Sequence, residues 1–299
     1  MRVRILGTAA GGGAPQWNCA CNPCARLRGL GSSAWRTQDS IAVTDGHSGW
    51  YLINASPDLR TQILRTDELA PGPAPRQTPI RGVLLTDAEL DHTMGLVALR
   101  EATALDVYAT APVLDALNTG FPLRRLLQPY EGAWTWTATA PGTPLRLGGH
   151  LSVTTIALGT KRPRYAAAPP DDAPWVVGYR VEDLRTGGAL VYAPCLAAWT
   201  RDLDDACVGA DYLIIDGTFY YDDEMTRATG RGASALSMGH MPIAGPGGSL
   251  EHAREHGGMR VLYTHLNNTN PLVCAASPEH AVIEATGAAV ASERMILTC

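Results

Sequence analysis

The sequence predicts a layered α/β sandwich in which two mixed β-sheets are covered by helices. Two observations carry that expectation. Short apolar runs that read as strands crowd the early part of the chain, and later runs alternate with helix-length segments. Several later runs also end on side chains suited to hold a ligand, and open α/β sheets gather their sites beyond the carboxyl ends of strands.

Taken in order, strands are expected at 2–7, 40–45, 50–54, 80–86, 106–109, 151–158, 175–182, 189–193, 211–216 and 259–264. Helices fit 57–66, 93–104, 111–118, 199–208, 247–257 and 278–287. Pro57, Pro112 and Pro278 sit at their first turns, where a missing N–H is tolerated. Gly187-Gly188, between Tyr179-Arg180-Val181 and Leu190-Val191-Tyr192, reads as a hairpin turn. Residues 68–79 and 160–174 are rich in Pro and Ala without periodicity and are expected to be surface loops, the second a candidate lid.

With 299 residues, 45% of them hydrophobic, the chain can bury a substantial core. No Ser/Gly linker or charge run divides it, and the candidate ligands spread from residue 87 to 265, so a single domain over 1–299 is expected. The net charge is -5, from 24 basic and 29 acidic residues, without a long basic run. That balance argues against a nucleic-acid partner, which needs clustered positive charge. The one basic knot, Lys161-Arg162-Pro163-Arg164, suits either a grip on a small anionic substrate or a solvated loop. Met1 to Gly7 enters a strand pattern at once, without the apolar core of a signal peptide, and no stretch approaches the ~20 apolar residues of a membrane span. A cytoplasmic location without membrane contact is therefore expected. Seven cysteines, odd in number and unevenly spaced, fit reduced thiols or metal binding better than a disulfide framework.

Thr86-Asp87-Ala88-Glu89-Leu90-Asp91-His92 joins Val83-Leu84-Leu85 to the helix-like Met94-Gly95-Leu96-Val97-Ala98-Leu99-Arg100. Three acids and an imidazole on one turn repel unless water or a cation relieves them. A metal site and a solvated turn with Asp91 capping the next helix both do so. Two later segments favour the metal: Tyr212-Leu213-Ile214-Ile215-Asp216 and Val261-Leu262-Tyr263-Thr264-His265 each end a strand on a ligand-type side chain. His92, Asp216 and His265 with positions left open suit a reactive divalent metal. His240, in Met238-Gly239-His240-Met241-Pro242, is a candidate fourth ligand or proton donor.

Cys19-Ala20-Cys21-Asn22-Pro23-Cys24 places three thiols within six residues. Such a loop can wrap one structural zinc at Zn–S distances of ~2.3 Å, with a fourth ligand from elsewhere. A redox pair of Cys21 and Cys24, or ordinary thiols, are the rival readings. Cys195, Cys207, Cys274 and Cys299 lack a partner in sequence and are expected to be buried small hydrophobes.

These features together resemble the metallo-β-lactamase superfamily and, within it, the pyrroloquinoline quinone (PQQ) biosynthesis protein B family. The superfamily's HxHxDH run corresponds to Asp87-Ala88-Glu89-Leu90-Asp91-His92, matching at its Asp-His end. Gly239-His240, Asp216-Gly217-Thr218-Phe219 and Thr264-His265-Leu266-Asn267-Asn268-Thr269-Asn270-Pro271 match as well. So do Gly11-Gly12-Gly13-Ala14-Pro15-Gln16-Trp17-Asn18-Cys19 and Asn54-Ala55-Ser56-Pro57-Asp58, and the resemblance covers nearly the whole chain. It implies a four-layer αββα sandwich. Departures bear on the chemistry: Asp87 and Glu89 stand where histidines usually do, Ala193-Pro194-Cys195 where a bridging aspartate is expected, and Gly159-Thr160-Lys161 where a further histidine is. One metal is expected rather than a dinuclear hydrolytic centre.

His92, His265 and a carboxylate, Asp91 or Asp216, make up a two-His-one-carboxylate set, the ligand type of non-haem iron oxygenases. The resemblance implies the same chemistry. It points to an Fe(II)-dependent hydroxylase that uses O2 and a reductant on the tyrosine ring of a Glu-Tyr unit cut from a precursor peptide in PQQ biosynthesis. His240 would then manage protons or complete the metal shell. Glu89 is expected to accept the hydrogen bond that orients His92, and Asp87 to be a ligand or a similar acceptor. Related phosphodiesterases with the same cysteine loop complete its zinc with a histidine at the position of Asn268, which makes Asn268 the candidate fourth zinc ligand. A carrier of PQQ or its precursor, and a metal-dependent hydrolase, are the alternative functions. The reading admits a homodimer.

Overall fold

The computed structural model describes residues 1–101, 104–130, 132–167, 172–255 and 258–299. Its strands are β1 (Arg2–Gly7), β2 (Ser40–Thr44), β3 (Trp50–Ile53), β4 (Ile80–Leu84), β5 (Ala104–Thr110), β6 (Ala133–Thr139) and β7 (Pro144–Leu147). They continue with β8 (Leu151–Gly159), β9 (Val176–Asp183), β10 (Ala189–Ala193), β11 (Tyr212–Asp216), β12 (Arg260–Thr264), β13 (Ala289–Val290) and β14 (Ile296–Thr298). One sheet runs β14, β1, β2, β3, β4, β5, β6 and the other β13, β12, β11, β10, β9, β8, β7. Within each, a block of neighbours is parallel: β3 to β6 in the first, β10 to β13 in the second. Their carboxyl ends therefore lie together along one edge, the place expected for the site.

Strand alternation divides the apolar residues between layers. On β11, Tyr212 and Ile214 pack between the sheets against Val3, Ile41 and Val181, whereas Leu213 and Ile215 face outward to Leu203 and Leu250 of the helices Arg201–Cys207 and Ser249–Glu255. The other sheet turns Leu52, Val83 and Val107 outward onto Leu59, Val113 and Leu123. Strands buried on both faces read as continuous apolar runs, which explains why their sequences show little alternation. The result is the expected four-layer helix–sheet–sheet–helix sandwich.

Several elements differ from expectation. β6 was not anticipated, although Trp134-Thr135-Trp136-Thr137 alternates with period two. β13 and β14, two and three residues long, fall below the length at which periodicity shows. The helix expected at 93–104 starts at Leu90 and tightens into a 3-10 turn over Met94–Leu99, and residues 102–103 lie outside the described residues. Asp91 is thus inside the helix and does not cap it. In the turn that follows, Gly95 packs against the Ala55–Ser56 backbone: its N–H donates to Ala55 O at 2.8 Å, and a Cβ there would lie 2.2 Å from Ser56 O. The helix expected at 57–66 is confined to Leu59–Leu64, so Pro57 precedes it. That at 247–257 is described as Ser249–Glu255, with 256–257 outside the described residues. The Gly187-Gly188 hairpin joins antiparallel β9 and β10, with Gly187 at φ 75°. Among the described residues no helix is long and apolar enough to cross a membrane.

Candidate metal centre

His92 lies in the short helix Leu90–Thr93, on the turn that follows β4, and is fully buried. Its Nδ1 is 2.7 Å from Asp87 Oδ2, which also accepts from Thr86 Oγ1 at 2.8 Å, while Asp87 Oδ1 accepts from Glu89 N at 2.9 Å. Asp87 is therefore the acceptor that orients the imidazole, the part expected of Glu89. The turn folds the earlier carboxylate onto the ring, and Glu89 contributes only through charge. Burial, with Asp87 and Asp91 nearby, raises the Glu89 carboxyl above its ordinary range. The other imidazole nitrogen, His92 Nε2, is buried and has no hydrogen-bond partner.

The ends of β11 and β12 supply Asp216 and His265. Asp216 Oδ1 accepts from Thr218 N at 2.8 Å and Thr218 Oγ1 at 2.6 Å, and Oδ2 accepts from Leu196 N and His240 Nδ1, both at 2.7 Å. Thr218 Oγ1, having given its one proton to Asp216, accepts from His265 Nδ1 at 2.7 Å. That fixes the neutral His265 with its lone pair on Nε2, just as Asp87 does for His92. His265 adopts φ 56°, a left-handed backbone uncommon outside glycine and often found at functional sites.

The rings of His92 and His265 have centroids 5.1 Å apart, and His240 stacks on His265 at 5.6 Å. Asp91 Oδ2 is 3.4 Å from His265 Nε2. Ligand atoms of His92, Cys195 and His265 lie within 4.8 Å of one another, as do those of Asp216, His240 and His265. His265 is thus common to two groups, one with His92 and one with Asp216 and His240, with Asp91 beside it. Cys195 is buried as expected, and its Sγ lies 3.9 Å from His265 Nε2. Cys195 follows β10, which is parallel to β11, so the rule that singled out Asp216 and His265 applied to it too.

The pocket is anionic. Burial alone would raise the carboxyls of Asp87, Asp91 and Asp216, but neighbouring imidazoles hold all three below the usual range. Burial would likewise lower His92 and His265, and the acids around them raise both. A further carboxylate that sequence reasoning missed, Asp39, is buried beneath, accepting from Tyr192 Oη and Thr264 Oγ1. Nothing in its flanking sequence marks it. An orphaned, aimed imidazole nitrogen amid surplus carboxylates is what a cation would satisfy, so the residues fit a metal.

The three thiols of Cys19, Cys21 and Cys24 are also within 4.8 Å of one another. Asn268 closes over them from the loop after β12, its side-chain amide nitrogen 3.3 Å from Cys24 Sγ and 3.6 Å from Cys21 Sγ, its backbone carbonyl oxygen 3.7 Å from Cys21 Sγ. The residue expected to complete the zinc site is thus beside it. Residues 161–166 are pinned rather than loose: Lys161 Nζ donates to Met238 O, and Tyr165 Oη to Ala88 O. Residues 168–171 of the candidate lid lie outside the described residues.

Glu224 anchors the loop that follows His265, accepting from Tyr220 N at 2.7 Å and Thr269 Oγ1 at 2.6 Å. Burial pushes its carboxyl up to about 7, more than these bonds offset. In the unfolded chain the group ionises near ~4.3, so between there and its folded value the native state holds the extra proton. Stability should therefore fall as pH rises through that window, by about 4 kcal/mol in all, and level off above it. Glu224→Gln should flatten that part of the curve when urea midpoints at about pH 5 and about pH 8 are compared. An unchanged slope would contradict the assignment.

A beta-lactamase superfamily domain matches residues 49–266. The coenzyme PQQ synthesis protein B of Cupriavidus necator is 42% identical over 98% of both chains, and that of Azotobacter vinelandii 42% over 99% of both. Among solved structures, a Zn(2+)-bound PqqB from Methylobacterium extorquens is 35% identical, covers 100% of both chains and superposes with a TM-score of 0.89. A diphosphatase of the PhnP family, 16% identical with a TM-score of 0.68 over 100% of this chain and 97% of its own, shares the fold.

Proposed function

The chain belongs to the coenzyme PQQ synthesis protein B family of the beta-lactamase superfamily, and from that membership we propose that it acts in PQQ synthesis. The proposed reaction is Fe(II)- and O2-dependent hydroxylation of the tyrosine ring in a Glu-Tyr unit derived from a precursor peptide. The observation that carries this reading is the buried His92 Nε2, without a partner among the described residues, beside the His265 ring, whose Nε2 is 3.4 Å from Asp91 Oδ2. Asp91 suits the carboxylate position better than Asp216, whose oxygens already accept four hydrogen bonds. Iron held there would supply the redox chemistry that lets O2 react with a phenol ring, which these side chains cannot supply alone.

The protein's own groups do the rest. Asp87 and Thr218 hold the two imidazoles so that each offers Nε2. His240, steadied through Nδ1 by Asp216, can take the ring proton at Nε2. One oxygen atom enters the ring and the other leaves as water, which requires two electrons from a reductant. A zinc in the cysteine loop, with Asn268 beside it, would have a purely structural role.

Lys161 is the sole lysine among 24 basic residues. It lies against the His240 loop, with its stem over Gly239, and its charge acts on Glu89. An ammonium there suits a carboxylate of the substrate. Lys161→Ala should raise KM for glutamyl-tyrosine roughly tenfold with kcat little changed, the mark of lost substrate binding. An unchanged KM would remove Lys161 from the substrate site.

The direct test supplies Fe(II)-loaded protein with glutamyl-tyrosine, ascorbate and isotopically labelled O2. Label in a hydroxylated ring, dependent on both iron and O2, supports the reading. Tight binding with the peptide recovered unchanged would favour a carrier, and cleavage a hydrolase; either would overturn it.

A further inference from the structure

Cys195 has no part in the reaction as proposed, yet its surroundings are those of a ligand. It sits at the end of β10, next to β11, buried among residues of the metal pocket. Its sulfur is 3.9 Å from His265 Nε2, and it forms with His92 and His265 a group whose ligand atoms all lie within 4.8 Å of one another. An independent observation points at the same space: His92 Nε2 is buried there without a partner.

We propose that the Cys195 thiolate is a direct ligand of the metal held by His92 and His265, adding a sulfur donor to the two histidines and the Asp91 carboxylate. It rests on the reading of this pocket as a metal site, and is independent of which metal binds and of hydroxylation. Bond formation is simple: the thiol loses its proton to solvent as the metal–sulfur bond forms, and no electrons are exchanged.

The consequence is selectivity. A set of two imidazoles and a thiolate favours iron, cobalt, copper and zinc, whereas magnesium and manganese prefer all-oxygen shells. A bound cation would itself displace the thiol proton as the metal–sulfur bond forms. Through that bond the protein would also push electron density onto the ion, an effect that neither Asp91 nor Asp216 could match.

The test uses full-length protein with zinc retained in the cysteine loop and cobalt(II) titrated into the second site. The expected result is a near-ultraviolet cobalt–thiolate charge-transfer band that grows in with one equivalent of cobalt. In Cys195→Ala that band should vanish, the visible ligand-field bands should remain, and cobalt should bind at least about tenfold more weakly. Cys195→Ser, which keeps the shape, should show the same loss. Ligand-field bands without a charge-transfer band in the wild type, or an undiminished band in Cys195→Ala, would overturn the proposal. A band without iron-dependent hydroxylation would leave this inference intact and end the hydroxylase reading, whereas failure of cobalt to bind at all would end both.

Discussion

Replacing His92 with alanine should empty the histidine centre of metal and lower turnover by at least about a thousandfold, while the cysteine loop keeps its ion. His92 Nε2 is the one buried nitrogen of the centre with no protein partner among the described residues, so its loss removes a donor that nothing nearby replaces. The same change strips Asp87 of the imidazole that holds its carboxyl low. A buried carboxylate left unpaired costs about 3–5 kcal/mol, so a fall in stability is expected as well. His265→Ala separates the two effects. It removes a second Nε2 but leaves Thr218 bonded to Asp216, so loss of metal should come with a smaller loss of stability. Element analysis and urea titration of both variants check this, and retained turnover in either would mean that the site is misplaced.

Asp216→Ala should be strongly destabilising, by about 3–5 kcal/mol. Its carboxylate satisfies Leu196 N, Thr218 N, Thr218 Oγ1 and His240 Nδ1 at distances of 2.6 to 2.8 Å, all from a fully buried position. Those donors come from three separate segments, so the carboxylate ties the Leu196, Thr218 and His240 loops together. Without it Thr218 is free to reverse its hydroxyl, and the tautomer of His265 is no longer fixed. Asp216→Asn retains one acceptor oxygen and should cost less. A loss below about 1 kcal/mol in Asp216→Ala would show that the network carries little of the stability.

Most of the centre was legible because its residues end apolar strands, and parallel neighbours bring such ends to one edge. His92, Asp216 and His265 follow that rule, and the cysteine loop announces itself by spacing alone. What sequence could not supply was orientation. Asp87 and Glu89 are two residues apart, and only the path of the turn decides that Asp87 reaches Nδ1. Asp39 and Tyr192 meet across the two sheets, 153 residues apart, with no local signal to link them. Cys195 was visible as a strand-end residue but was set aside because a lone cysteine is usually an inert filler. Of the fold, the central strands were readable from their apolar runs, whereas β13 and β14 depend on pairing with strands already in place.

The central claim is that a lone redox-capable ion sits between His92 and His265, apart from the ion of the cysteine loop. Anomalous scattering measured at the iron and zinc edges, on crystals of protein purified without added zinc, addresses it most directly. Iron signal bonded to His92 Nε2 and His265 Nε2, with zinc signal among Cys19, Cys21 and Cys24, is the predicted result. The absence of any ion from the space between those two imidazole nitrogens would contradict it.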